Sequence, residues 1–275
     1  MPAPDAISCD KLAKLIGTPR APVILDVRRA ALRTDDPRAL PGARLLTEAD
    51  LPGAHALLPE LRGQSVVVVC VAGHARSQGL AAALRAEGIA AEYLEGGQEA
   101  WVAADLPTID TTRLGSSDAA GRSLWVTRSR PKIDRIACPW LIRRFIDPRA
   151  VFLFVAPPEV PAVAQVMGAT AFDIEDTVYS HRGDLCTFDT LIAEFGLRLP
   201  ALDRLATIVR GADTARPELA PECAGLLAAS LGLSRMYSDD QAQLDAGLLL
   251  YDAFFRWARD ATDETHDWPK GGKTK

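Results

Sequence analysis

The apolar positions of the first hundred residues come in short β-branched runs, Val23 to Val27 and Val66 to Val69. Each is bounded by Pro or Gly signals and is too short for a helix. These runs predict buried parallel strands, joined by a further strand at Ala91 to Leu94 and a turn at Gly96-Gly97. Helical spacing covers Cys9 to Ile16, Ala54 to Leu61 and Gln78 to Gly88, so the expected architecture is an α/β parallel sheet with helices on both faces. From Leu106 to Arg122 the chain becomes small and polar and loses periodicity, which marks a domain boundary. Beyond it the pattern predicts a strand at Leu124 to Arg128, a basic helix near Pro139 to Ile146, and strands at Val151 to Val155 and near Ala171 to Ile174. After Thr187 the pattern is mostly helical, with one helix at Pro200 to Arg210. A last helix, expected to be capped by Ser238, places Leu244, Leu248, Tyr251 and Phe255 on one buried face at spacings of four, three and four. The resulting plan is an α/β domain over 1–108, a linker over 109–122, a helix-rich α+β domain over 123–265 and a disordered tail over 266–275.

Composition agrees with two soluble globular domains, since 275 residues with 48% hydrophobic and 24% charged positions suit that size and class. The longest apolar stretch, Val66 to Ala72, falls far short of the roughly 18 residues of a membrane helix. Met1 to Lys14 lacks the apolar core of a secretory signal, so the expected location is the cytoplasm, with no membrane partner. Cys9, Cys70, Cys138, Cys186 and Cys223 are widely spaced without a C-x-x-C pair, which disfavours a disulfide framework or a structural zinc site. The net charge of −5 makes direct nucleic-acid binding unexpected. Arg122 to Arg149 nevertheless holds eight basic residues against Asp134 and Asp147, leaving 23 basic against 34 acidic residues elsewhere. Such a local excess suits a small oxyanion better than a polyanion.

Cys70 ends the predicted strand Ser65 to Val69 and opens the loop Val71-Ala72-Gly73-His74-Ala75-Arg76, after which Ser77 to Ala86 reads as a helix. Backbone N–H groups of such a loop and of the first helical turn can converge on the sulfur and stabilise a thiolate. Gly73 permits the necessary backbone curl, His74 adds a titratable positive charge, and Arg76 adds a permanent one. The competing reading, a buried small apolar cysteine, explains the strand-end position less well.

These residues resemble the rhodanese family over about the first 107 positions. Val23-Ile24-Leu25-Asp26-Val27-Arg28 looks like its first strand with the Asp-x-Arg ending, and Leu40-Pro41-Gly42-Ala43 like its I-P-G-A element. Val67 to His74 looks like its active-site loop, and Leu94-Glu95-Gly96-Gly97 with Trp101 like its L-x-G-G-x-x-x-W ending. The resemblance implies a sulfurtransferase in which Cys70 takes the outer sulfur of a donor such as thiosulfate, becomes a persulfide, and passes sulfur to cyanide or a thiol without a cofactor. Cys70, His74 and Arg76 are then the catalytic candidates, and Val71, Ala72, Gly73 and Ala75 line the substrate loop. One departure stands out, because Cys70 to Arg76 spans seven residues where the usual family loop has six. A seven-residue loop resembles the rhodanese-fold dual-specificity phosphatases and arsenate reductases, whose wider cradle takes a tetrahedral oxyanion. Asp26 and Arg28 read as braces of the fold.

In the second half, Arg128, Arg130, Lys132 and Arg135 alternate along a strand and its following turn, and could hold a doubly charged oxyanion. A solvated basic face, or one docking the acidic remainder, accounts for them equally well. Cys138, ahead of Pro139 at an expected helix start, could be an activated thiol, although a buried structural thiol is the favoured reading. His181 lies in a turn-like segment after the acidic pair Glu175-Asp176, and Asp213 follows the helix Pro200 to Arg210. Glu175, His181 and Asp213 could therefore form an open site for a divalent metal such as Zn, Mn or Fe. Cys186 would then be a neighbour of that site or a core thiol.

Residues 124 to 262 resemble the C-terminal domain of the ChrB-type chromate-resistance family. The resemblance runs through Lys132 to Asp147, His181 to Phe188 and Ile208 to Asp213. It implies a setting in chromate or oxyanion stress, with chromate as a possible ligand. The expected function is a rhodanese-like sulfurtransferase fused to a ChrB-like domain. The alternative is a non-catalytic oxyanion sensor whose helical domain engages a partner. A direct transcriptional role is disfavoured because no helix-turn-helix pattern is evident.

Overall fold

The computed structural model describes residues 5–47 and 57–265. Its first sheet has five parallel strands in the order Ala6–Ile7, Ala90–Leu94, Ser65–Val69, Val23–Asp26, Ala43–Leu45. The β-branched runs are buried on both faces, which is why they read as continuous apolar stretches rather than as an alternation. Leu25, Val66 and Val68 pack with Leu80, Ala81 and Leu84 of the helix Ala75–Ala86, while Ile24, Val67 and Val69 face the other way. The expected helix at Ala54 to Leu61 is present as Leu58–Leu61, its earlier part lying outside the described residues. The expected tail over 266–275 also lies outside them.

The second region is built on a smaller parallel sheet in the order Thr170–Ala171, Leu124–Arg128, Val151–Val155, followed by the helices Thr187–Glu194, Pro200–Asp213, Cys223–Met236 and Asp240–Asp260. Three local expectations are corrected. The basic helix begins at Ile133, so Pro139 lies inside it. Pro139 cannot donate to the carbonyl four residues earlier, and the helix then opens into a π turn over Ile142–Ile146. The helix from Pro200 extends through Asp213, which therefore sits in its last turn. The last helix is capped by Asp239 rather than Ser238, since the Asp239 carboxylate accepts from the Ala242 N–H at 2.7 Å. Leu244, Tyr251 and Phe255 are buried as their spacing requires, and Leu248 packs at the edge of the same core.

The segment 109–122 is not a free tether. Ile109–Asp110 pairs antiparallel with Arg38–Ala39, and the Asp110 N–H donates to the Phe195 carbonyl at 3.0 Å. Ile24, Val67, Val69 and Trp101 of the first region share one continuous core with Trp140, Phe145 and Phe255 of the second. Gly17, in the left-handed region, lies where a side chain would run into the Phe145 and Phe255 rings. The Gly42 N–H donates to the Phe145 carbonyl at 2.7 Å. Among the described residues no helix is long and apolar enough to cross a membrane.

Candidate functional site

Cys70 follows the central strand Ser65–Val69 at the carboxyl edge of the sheet, where open α/β sheets place their ligands. The helix Ala75–Ala86 starts two residues after Gly73, whose φ of 72° makes the curl between them. The carbonyls of Cys70 and Val71 accept from the N–H groups of Gln98 and Glu99, each at 2.9 Å. The N–H and C=O of a trans peptide point in opposite directions, so this pairing turns the N–H groups of Val71 and Ala72 away from the helix Gly97–Ala103. The close approach requires Gly97, where a Cβ would collide with both carbonyls and with the Gly73 nitrogen.

The Cys70 side chain is nearly buried, at 6% exposure, and its Sγ lies 3.1 Å from Ser77 Oγ. That hydroxyl also reaches the His74 carbonyl at 3.2 Å. Arg76 Nε donates to the Val27 carbonyl at 2.8 Å, anchoring the guanidinium at the end of the neighbouring strand. His74 occupies the helix N-cap without a side-chain cap and is exposed, as is Ala75, the first residue of the helix. Ser77 is a contact that the sequence reading missed. The available signal was its place one residue after Arg76, in the first turn of a helix that faces the thiol. Asp26 and Arg28 form a buried ion pair at 2.8 Å, and Arg28 also donates to the carbonyls of Asp36 and Arg38. They brace the strand beside the loop.

The four basic residues of the second region do not share one face. Arg128 and Arg135 converge on Asp173 Oδ2, at 3.0 and 3.2 Å. Arg130 has a φ of 57° and turns elsewhere, its N–H donating to the Asp240 carboxylate and its guanidinium to the carbonyls of Ser234 and Tyr237. It fastens the start of the last helix. Lys132 is exposed at the N-cap of the helix Ile133–Leu141.

The carboxylates around His181 also differ from those expected. Glu175 is exposed and stands outside the group. His181 Nε2 instead faces Asp134 Oδ2 and Asp173 Oδ1 at 3.5 Å each and Asp213 Oδ2 at 3.3 Å. Hydrogen bonding to Asp134 and Asp173 outweighs burial and pushes the His181 pKa up to about 10. Asp213 is raised by burial and by the neighbouring charges of Asp134 and Asp173. Burial acts in the same sense on Asp173, but His181, Arg128 and Arg135 outweigh it and hold that carboxyl below its usual range. Asp173 also has a φ of 53°, a left-handed conformation that Asp tolerates better than most residues. Thr187, the first residue of its helix, donates its N–H to Asp134 Oδ2 at 2.6 Å and its hydroxyl to Asp173 Oδ1 at 3.0 Å. Asp134 was visible in the sequence only as an exception within a basic segment, and Asp173 only as part of an expected strand.

Cys138 is fully buried in the middle of its helix, and burial raises its thiol well above the ordinary range. Cys186 is buried at the N-cap of Thr187–Glu194, where burial likewise raises its thiol far up. Both are core thiols.

Two families account for most of the chain. Residues 8–104 match the rhodanese-like domain family, and residues 125–258 match the ChrB, C-terminal domain family. The chain is a rhodanese-like domain joined to a ChrB C-terminal domain. Protein ChrB of Cupriavidus metallidurans is 36% identical over 154 residues, which is 55% of this chain and 44% of that protein, so the chain spans less than half the length of this curated relative. Among solved structures, a rhodanese-related protein from Thermoplasma volcanium is 21% identical over 38% of this chain and 96% of its own, with a TM-score of 0.33. Thiosulfate sulfurtransferase from Pseudomonas aeruginosa is 30% identical over 41% of this chain and 20% of its own, with a TM-score of 0.32.

Proposed function

We propose that this chain is a rhodanese-type sulfurtransferase acting through Cys70, and that its ChrB domain sets that chemistry in the cytoplasmic response to chromate or related oxyanions. The observation that carries the reading is a cysteine at the carboxyl end of the central parallel strand, ahead of the helix Ala75–Ala86, with a hydroxyl 3.1 Å from its sulfur. In this reaction the Cys70 thiolate attacks the outer sulfur of thiosulfate, the S–S bond breaks, and sulfite leaves with the electron pair. Cyanide or a thiolate then attacks the outer sulfur of the persulfide and releases the Cys70 thiolate. Sulfur transfer needs no cofactor. The near-complete burial of Cys70 suits a small donor, and Arg76 supplies a permanent positive charge beside the loop.

The test is intact mass after thiosulfate exposure, alongside thiosulfate:cyanide turnover. The expected result is a gain of one sulfur atom and turnover, both abolished by Cys70→Ser and retained by Cys9→Ser. Turnover persisting in the Cys70 variant, or no sulfur gain in the unsubstituted protein, removes the assignment.

A further inference from the structure

We propose that Asp134, Asp173, His181 and Asp213 form a site for one divalent first-row transition ion in the second domain, a site that does not depend on the chemistry of Cys70. The four residues come from separate parts of the chain. Asp134 is in the first turn of Ile133–Leu141, Asp173 follows the strand Thr170–Ala171, His181 lies in the turn before Thr187–Glu194, and Asp213 ends Pro200–Asp213. Asp134, Asp173 and His181 each bring one ligand atom within 4.8 Å of the others, and Asp213 Oδ2 lies 3.3 Å from the same imidazole nitrogen.

The contacts of His181 are long for hydrogen bonds and also fit a coordination shell. A good N–H···O bond is about 2.9–3.0 Å long, and Nε2 carries a single proton to share. Here one nitrogen stands 3.3–3.5 Å from three carboxylates and close-bonds none of them. Ligand atoms arranged tetrahedrally about 2.1 Å from an ion stand about 3.4 Å from one another. The distances from Nε2 match that spacing, and the ligand atoms of Asp134, Asp173 and His181 lie within 4.8 Å of one another, with Asp213 reached through the same nitrogen.

A second observation is independent of the cluster's acidity. The Asp134 side chain is 1% exposed, and its Oδ1 has no hydrogen-bond partner although it is fully buried. A buried carboxylate oxygen without a partner is costly, and a cation held by the same carboxylate would offset that cost. The supporting groups are also those of a metal centre. Arg128 and Arg135 bind Asp173 Oδ2 and leave Oδ1 turned to His181, while the Thr187 N–H and hydroxyl fix Asp134 Oδ2 and Asp173 Oδ1. His181 is 41% exposed, which gives the ion a path in and leaves room for water or an anion as a further ligand. One imidazole with three carboxylates suits Mn²⁺, Fe²⁺ or Zn²⁺ and not Cu(I), which prefers thiolate and thioether.

The test uses the full chain, stripped with chelator, and Mn²⁺ as the probe, since exposed thiols bind it weakly. Loss of the free Mn²⁺ signal in electron paramagnetic resonance counts the bound ions, and Zn²⁺ titrated afterwards reports competition. The expected result is one Mn²⁺ per chain, displaced by one equivalent of Zn²⁺, with affinity at least tenfold weaker in both His181→Gln and Asp213→Asn. These two positions are the more exposed members, and circular dichroism checks that each variant is folded. Should either variant unfold, Thr187→Val is measured in its place, with the same tenfold weakening expected from loss of the hydroxyl on Asp173. Absence of stoichiometric Mn²⁺ and Zn²⁺ binding overturns the site, as does stoichiometric binding that the folded variants leave unchanged. Since neither readout involves sulfur transfer, failure here leaves the Cys70 reading standing, and failure of that reading leaves this one.

Discussion

Ser77 Oγ lies 3.1 Å from Cys70 Sγ and 3.2 Å from the His74 carbonyl, so its single proton has two possible acceptors. While Cys70 is a thiol, its own S–H can point at Ser77, and the hydroxyl can donate to His74. Once the sulfur is ionised it no longer donates, and the hydroxyl gains by turning to it. A hydrogen bond to a charged group contributes about 1.5–3 kcal/mol, so Ser77→Ala is expected to lower kcat/KM for thiosulfate about tenfold to hundredfold. Alkylation of Cys70 by iodoacetamide at fixed pH should slow in parallel, with the fold intact. Unchanged alkylation would show that the hydroxyl serves only to cap His74.

The longer loop makes a different demand. Its additional residue before Arg76 falls where Ala75 begins the helix Ala75–Ala86, so deleting Ala75 would turn every later residue of that helix by about 100° and move Ser77, Leu80, Ala81 and Leu84 off their buried face. The cleaner measurement leaves the loop whole. Arsenate and phosphate are expected to protect Cys70 from alkylation several-fold better than chloride at matched ionic strength, and His74→Ala should reduce that protection without abolishing it. Equal protection by chloride would mean that the loop does not cradle tetrahedral anions.

The first domain was legible because its signals are local. β-branched runs, a strand-end cysteine and the glycines at 73, 96 and 97 each report a backbone demand of their own neighbourhood. The cluster around His181 was legible only in part. His181 and Asp213 do lie side by side, but Glu175 is nearer in sequence to His181 than either Asp134 or Asp173 without sharing its surroundings. What brings Asp134 to His181 is the helix Ile133–Leu141 starting ahead of its proline, and Pro139 had suggested a later start. The basic row failed for a related reason. Alternation along a strand ends where Arg130 takes a left-handed backbone, which sends its side chain to Ser234 and Tyr237.

Gly97 offers a test of how tightly the loop is held. A Cβ there would meet the Cys70 and Val71 carbonyls and the Gly73 nitrogen, all backbone atoms with no rotamer to change, at a φ of 59° that already disfavours a side chain. Overpacking of this kind costs about 1–3 kcal/mol or more. Gly97→Ala is therefore expected to lower the urea midpoint and to reduce sulfur transfer by at least tenfold, whereas Gly79→Ala, inside the helix Ala75–Ala86 with open space around it, should leave sulfur transfer unchanged and raise the midpoint slightly. Full activity in Gly97→Ala would mean that the loop shifts without consequence for the thiol.

Asp252 ties the last helix to the centre of the second domain. It is 9% exposed, accepts from Trp140 Nε1 at 2.8 Å, and takes both Arg144 Nε and NH2 at 2.8 Å in a bidentate pair. Removing one partner of a buried pair leaves the other charged and unsatisfied, which typically costs about 3–5 kcal/mol. Arg144 is itself only about a fifth exposed, and the indole N–H is left unpaired as well, so Asp252→Ala should fall within that range in a urea titration followed by Trp fluorescence. Asp252→Asn keeps an acceptor for Trp140 but loses the charge, so it should fall between the alanine variant and the unsubstituted protein. Arg144→Ala made in the Asp252→Ala background should cost less than Arg144→Ala alone, because the arginine has by then lost its partner. If the two single losses instead add in the double variant, the carboxylate and the guanidinium contribute separately, and the pair is not what holds the last helix against Trp140.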